Sequence, residues 1–140
     1  MMIYGNVFAE GRSANSLFEE EDRLHRHNPT YMPRLMRQEF LAHGIEINTP
    51  DVNEGRQIAF DLYFEGRQFV ADGVPKYLIA VENPNLNRLN ASREYCQKFA
   101  RVFTWNAELH DLPNVVKALS PHRLSHGPFP TYEERDIFSC

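Results

Sequence analysis

The stretch KYLIAVENPNLNRLNASREYCQKFARVFTWN, residues 76–106, decides the fold. An apolar run at 77–81 stops abruptly at Glu82-Asn83-Pro84. A helical segment at 92–99 follows, with Tyr95, Cys96 and Phe99 on one face, and a second run at 101–105 stops at Asn106. A continuous apolar run of this length reads as a strand buried on both faces, as in a parallel sheet covered by helices. Two such strands with a helix between them make a βαβ unit. In open α/β sheets ligands bind at the carboxyl ends of the strands. The first polar residues beyond each run are therefore candidates for chemistry.

Working outward, residues 3–9 read as a first strand, 45–49 as a second and 59–64 as a third, the last with Phe60, Leu62 and Phe64 alternating with Asp61 and Tyr63. A helix is expected over 30–43, where Tyr31, Leu35, Met36, Phe40 and Leu41 fall near helical spacing. Thr30 or Asn28 would cap it, Pro33 suits its first turn, and Gly44 suits the position after its end. Residues from about 10 to 29 read as an irregular loop with a short helix around 17–24. Residues 109–119 read as a broken helix containing Pro113, and about 120–140 as an extended tail. The sum is an α/β fold: a single Rossmann-like three-layer domain over 1–140 with a mostly parallel sheet.

With 140 residues the chain fits one domain, and 42% hydrophobic content supplies one core. A formal charge of −4 argues against a general nucleic-acid binder. No apolar segment approaches the roughly 20 residues of a membrane span, and the N-terminus lacks the pattern of a secretory signal. Two cysteines, Cys96 and Cys140, make neither a disulfide framework nor a zinc site, which fits a cytoplasmic protein.

Glu82 is the leading catalytic candidate. A carboxylate at a strand's carboxyl end can be partly desolvated, which raises its pKa and suits it to general-base work. Pro84 restricts Asn83 to extended conformations and so sets the exit path. The competing reading is a polar strand terminus without chemistry. Asn83, Asn85, Asn87 and Asn90 follow. Amides suit sugar hydroxyls, but asparagine is also common in turns; Asn87 and Asn90 read as turn residues, Asn83 and Asn85 equally as sugar contacts. Trp105 can stack on a sugar face, although core burial is the commoner use of tryptophan. Asn106 is a sugar contact or a helix cap. His25, His27, His122 and His126 have spacings that metals use but lack a third and fourth ligand in a recognisable frame. No phosphate loop or nucleophile elbow occurs, so no cofactor or metal is expected. A receiver-like domain using Asp51 or Asp61 lacks its usual paired acids after the first strand.

Four motifs stand in order: His43-Gly44-Ile45-Glu46-Ile47-Asn48-Thr49-Pro50-Asp51, Phe60-Asp61-Leu62-Tyr63-Phe64, Tyr77-Leu78-Ile79-Ala80-Val81-Glu82-Asn83-Pro84 and Phe99-Ala100-Arg101-Val102-Phe103-Thr104-Trp105-Asn106. The set resembles the N-terminal half of glycosyltransferase family 10, the α-1,3/1,4-fucosyltransferases and related bacterial surface-polysaccharide enzymes, over about residues 28–121. The resemblance implies the acceptor-side domain of a GT-B enzyme. Glu82 would be general base in an inverting transfer from a nucleotide sugar of GDP-fucose type to a glycan acceptor, with Asn83, Asn85, Trp105 and Asn106 contacting substrate. The donor would be held by a C-terminal domain that the 140 residues do not include, so the chain resembles half an enzyme. The face that would meet that domain is expected to pair with a second copy of the chain, as a homo-oligomer, or with a partner chain. The alternative is a non-catalytic carbohydrate-binding or protein-interaction module of the same fold.

Overall fold

The computed structural model describes residues 1–19 and 30–119. Its elements are β1 (Ile3–Phe8), α1 (Tyr31–Ala42), β2 (Ile45–Asn48), β3 (Ile58–Phe64), β4 (Lys76–Ala80), α2 (Arg93–Cys96), β5 (Arg101–Thr104) and β6 (Val115–Lys117). Short 3-10 helices occupy Ser16–Phe18, Arg88–Ala91 and Ala107–Leu109. The six strands form one sheet in the order β2-β1-β3-β4-β5-β6, and every pairing is parallel. The architecture is a Rossmann-like α/β domain, and β1 to β5 fall within one residue of the strands read from the sequence.

Two readings need correction. The helix expected over 109–119 is instead a 3-10 helix ending at Leu109, a turn and the edge strand β6. Pro113 cannot continue a helix, and β-branched Val115 and Val116 favour extended backbone beside β5. Leu109 and Leu112 are buried, and the Asn114 side chain donates to the carbonyls of Cys96 and Phe99, both at 2.9 Å, which fixes the turn. The helix expected over 92–99 is regular only over Arg93–Cys96. The helix expected around 17–24 is only the 3-10 helix Ser16–Phe18, which ends at an extended Glu19; residues 20–24 lie outside the described residues, as do the tail, Asn28, His25, His27, His122, His126 and Cys140. Thr30 does occupy the cap position of α1, though its side chain makes no capping hydrogen bond. Gly44 follows the helix with φ +75°, where a Cβ would be strained.

The two faces of the sheet are covered unequally. One face carries Tyr63, Leu78, Ala80 and Val102, packed under Tyr95, Cys96, Phe99, Leu109 and Leu112. The other carries Val7, Ile47, Leu62, Phe64 and Ile79, with Leu17, Phe18, Met32, Met36 and Phe40 against them. Right-handed crossovers explain the division. The step from β1 to β2 runs one way across the sheet, and the steps from β3 to β6 run the other, so their connections lie on opposite faces.

A buried polar chain ties four strands together. The Asn48 side chain donates to Asn53 at 3.0 Å, Asn53 donates to Asn6 at 3.0 Å, and Asn6 donates to Asp61 at 3.1 Å. Lys76 Nζ donates to Asp61 at 2.6 Å, and the two side chains are only 2% and 3% exposed. Lys76 also donates to Asp72 at 2.6 Å. Burial pushes the Lys76 pKa down, but its hydrogen bonds to Asp61 and Asp72 and their charges outweigh that and hold it above the ordinary value. Asp51 accepts the Ala14 N–H at 2.7 Å. Both acids of the receiver-like reading are thus engaged within the fold. Removing one partner of a buried pair leaves the other charge uncompensated. Lys76→Met is therefore expected to cost about 3–5 kcal/mol in urea denaturation; a loss below about 1 kcal/mol would mean that Asn6 alone satisfies Asp61.

Candidate functional site

The carboxyl edge of the sheet is shaped where β3, β4 and β5 end side by side. The ladder between β3 and β4 runs as far as the Glu65 N–H, which donates to the Ile79 carbonyl at 2.9 Å. Glu65 then takes φ +63°, the left-handed region, and the chain leaves the sheet. Its carboxylate takes over from the missing strand. It accepts the N–H of Val81 at 3.2 Å, the N–H of Glu82 at 3.1 Å and the Asn90 side-chain amide at 2.6 Å. On the other side, the Trp105 indole N–H donates to the Val81 carbonyl at 2.7 Å. Side chains from both neighbouring strands thus prolong β4 by one residue and hold the main chain of Glu82 in place.

The Glu82 side chain is exposed and makes no hydrogen bond or ion pair among the described residues. Trp105 is 42% exposed, so it is not the buried core anchor that tryptophan more commonly provides. Its indole N–H is fixed while part of its ring meets solvent. Asn83 and Asn85 lie in the loop just beyond Glu82. The Asn83 side-chain oxygen accepts the Asn85 N–H at 2.8 Å, an Asx turn in which its NH₂ has no partner among the described residues. Asn85 is exposed. Asn106 is not available to a substrate in the same way: it is 8% exposed, and its side-chain oxygen accepts the Glu108 N–H at 3.1 Å, capping the 3-10 helix Ala107–Leu109. The edge therefore brings together Glu82, Asn83, Asn85 and Trp105, and withdraws Asn106.

Chain comparisons with protein-family models, curated proteins and solved structures find no match. Among the described residues no cluster of three or more His, Cys, Asp or Glu side chains is arranged to hold a metal. No helix among them is long and apolar enough to cross a membrane.

Two residues that the sequence reading did not place among the site candidates build this edge. Glu65 ends its strand as Glu82 ends the next, so the rule that singled out Glu82 applies equally to Phe64-Glu65-Gly66. Asn90 reads as turn chemistry, yet it is 2% exposed. It accepts the Gly66 N–H at 2.8 Å while donating to Glu65 and to the Glu82 carbonyl. Gly66 is required by close packing. A Cβ there would stand 2.5 Å from Leu89 Cβ and 3.1 Å from the side-chain oxygens of Asn87 and Asn90.

Burial raises the Glu65 pKa, and the nearby Glu82 charge adds to the rise; hydrogen bonds from Glu82 N–H, Asn90 and Val81 N–H oppose it without cancelling it. Between the ordinary value of 4.5 and the raised one, the folded chain keeps a proton that the unfolded chain has released. Across that window Glu65 makes stability fall as pH rises. Urea denaturation at a series of pH values from 4.5 upward is expected to show the natural chain losing ground to Glu65→Gln. A pH-independent difference would mean that the group stays ionised throughout. Gly66→Ala is expected to cost about 1–3 kcal/mol and to speed hydrogen exchange at the Val81 and Glu82 amides, whereas unchanged exchange would show that the edge does not depend on this packing.

Proposed function

We propose that this domain is the acceptor-binding half of an inverting, fucosyltransferase-like glycosyltransferase of family 10, acting in the cytoplasm. One observation carries the reading: Glu82 offers an uncommitted carboxylate on a main chain held from both sides, beside a tryptophan whose indole N–H is fixed and whose ring is partly open. A general base needs this combination of fixed position and free lone pairs. Sugar recognition pairs an aromatic platform for the apolar face of a ring with amides for its hydroxyls. Trp105, Asn83 and Asn85 have those capacities. The four ordered sequence motifs supply the family likeness.

In this mechanism the acceptor glycan lies over Trp105. Glu82 removes the proton from the attacking hydroxyl as its oxygen bonds to the anomeric carbon of the donor sugar. The bond from that carbon to the nucleoside diphosphate breaks on the opposite side, inverting the centre. A nucleotide sugar of GDP-fucose type would be bound by a C-terminal donor domain, in the same polypeptide or as a partner chain. Closure of that domain over the edge would also desolvate Glu82, which stands exposed in this half.

The same exposure favours a second reading, a carbohydrate-binding module that performs no chemistry. The two are separated by pairing the chain with a family 10 donor domain, fused or in trans, and assaying transfer from GDP-fucose. Glu82→Gln is expected to lower kcat by about 10²–10⁴ with acceptor affinity retained, and Trp105→Ala to weaken acceptor binding. Acceptor binding without transfer in the paired protein would favour the module. Transfer that survives Glu82→Gln within a few-fold would reject Glu82 as the base.

A further inference from the structure

On the α1 face, no element among the described residues covers the sheet beyond the helix. Met32, Met36 and Phe40 of α1 form one wall of an open groove of about 500 Å³, and its floor runs over β3, β4 and β5 through Phe60, Leu62, Tyr77, Ile79 and Phe103. The lining is almost wholly apolar. We propose that this groove is the docking site of residues 120–140 of the same chain.

Three observations select that occupant. First, among the described residues, the connections from β3 to β6 do not cover the groove. They place Phe69, Tyr95, Cys96, Phe99, Leu109 and Leu112 on the opposite face, as right-handed crossovers require. Second, the chain itself leads into the groove. Ala118 and Leu119, directly after β6, line it, and Leu119 is 77% exposed there. The 21 residues that follow could extend to about 70 Å, against roughly 14 Å across the three strand spacings from β6 to β3. Third, composition separates the two segments outside the described residues. Residues 20–29 carry one large apolar side chain, Leu24, whereas 120–140 carry Leu124, Phe129, Tyr132, Ile137 and Phe138. An apolar face of this size needs such side chains over it.

Methionine methyl groups report on the groove directly. Met32 and Met36 line it, while Met1 and Met2 do not and serve as internal references. In the full chain labelled at methionine methyls, cross-relaxation is expected from Met32 and Met36 to aromatic protons of Phe129, Tyr132 or Phe138, unchanged on dilution. The double variant Ile137→Ser, Phe138→Ser is expected to move the Met32 and Met36 resonances and leave Met1 and Met2 in place. Absence of those contacts, with unmoved resonances in the variant, would overturn the proposal. So would contacts that arise only between differently labelled molecules in a mixed sample, which would assign the groove to a second copy of the chain. The outcome is independent of the sugar-transfer reading, since no step of that reading uses the groove.

Discussion

Handedness is the constraint from which the rest of this structure follows. Six parallel strands in the order β2-β1-β3-β4-β5-β6 change direction of travel once, beside β1. Right-handed crossovers then put α1 on one face and the connections of β3 to β6 on the other. The core is therefore split into two clusters, one on each side of the sheet. Among the described residues, the connections of β3 to β6 leave the α1 face over β3 to β5 uncovered. Parallel pairing also sends every strand's carboxyl end to one edge, so Glu65, Glu82 and Trp105 become neighbours although they are far apart in the chain.

That edge is held by side chains acting as substitutes for backbone. A strand that outlasts its neighbours exposes N–H and carbonyl groups that must find partners. At Val81 the Glu65 carboxylate accepts the N–H and the Trp105 indole satisfies the carbonyl. The result is an ordered β4 terminus followed by a carboxylate that has no partner among the described residues. It also explains why one glutamate is consumed by structure while the adjacent one remains available. The two are near enough for the charge on Glu82 to raise the Glu65 pKa.

The interior of the sheet shows how charge can be accommodated in an α/β core. Asp61 and Lys76 sit on adjacent strands in direct register, β3 beside β4. Asn6, Asn48 and Asn53 continue the polar contacts across β1 and β2. Each member supplies the donor or acceptor that the next one lacks. Such a chain favours one strand register, because a slip of one residue would turn Asp61 and Lys76 toward the apolar opposite face.

Local sequence determined the strands and the first helix, because apolar runs, helical spacing and Gly44 act over a few residues, and it determined the polar strand ends at Glu82 and Asn106. It misplaced 109–119, where the apolar pattern suits helix and strand alike. Only burial of Leu109 and Leu112, the Asn114 bonds and pairing with β5 select the strand. Which polar residue is free was also beyond local pattern. Asn106 and Asn90 are spent on backbone groups, Glu65 on the end of β4, while Glu82 and Trp105 remain exposed. The Asn106 cap is local, to Glu108 two positions on, but the commitments of Glu65, Asn90 and the Trp105 indole rest on hydrogen bonds between residues 16 to 25 positions apart in the chain, which come within reach only once the parallel sheet has formed.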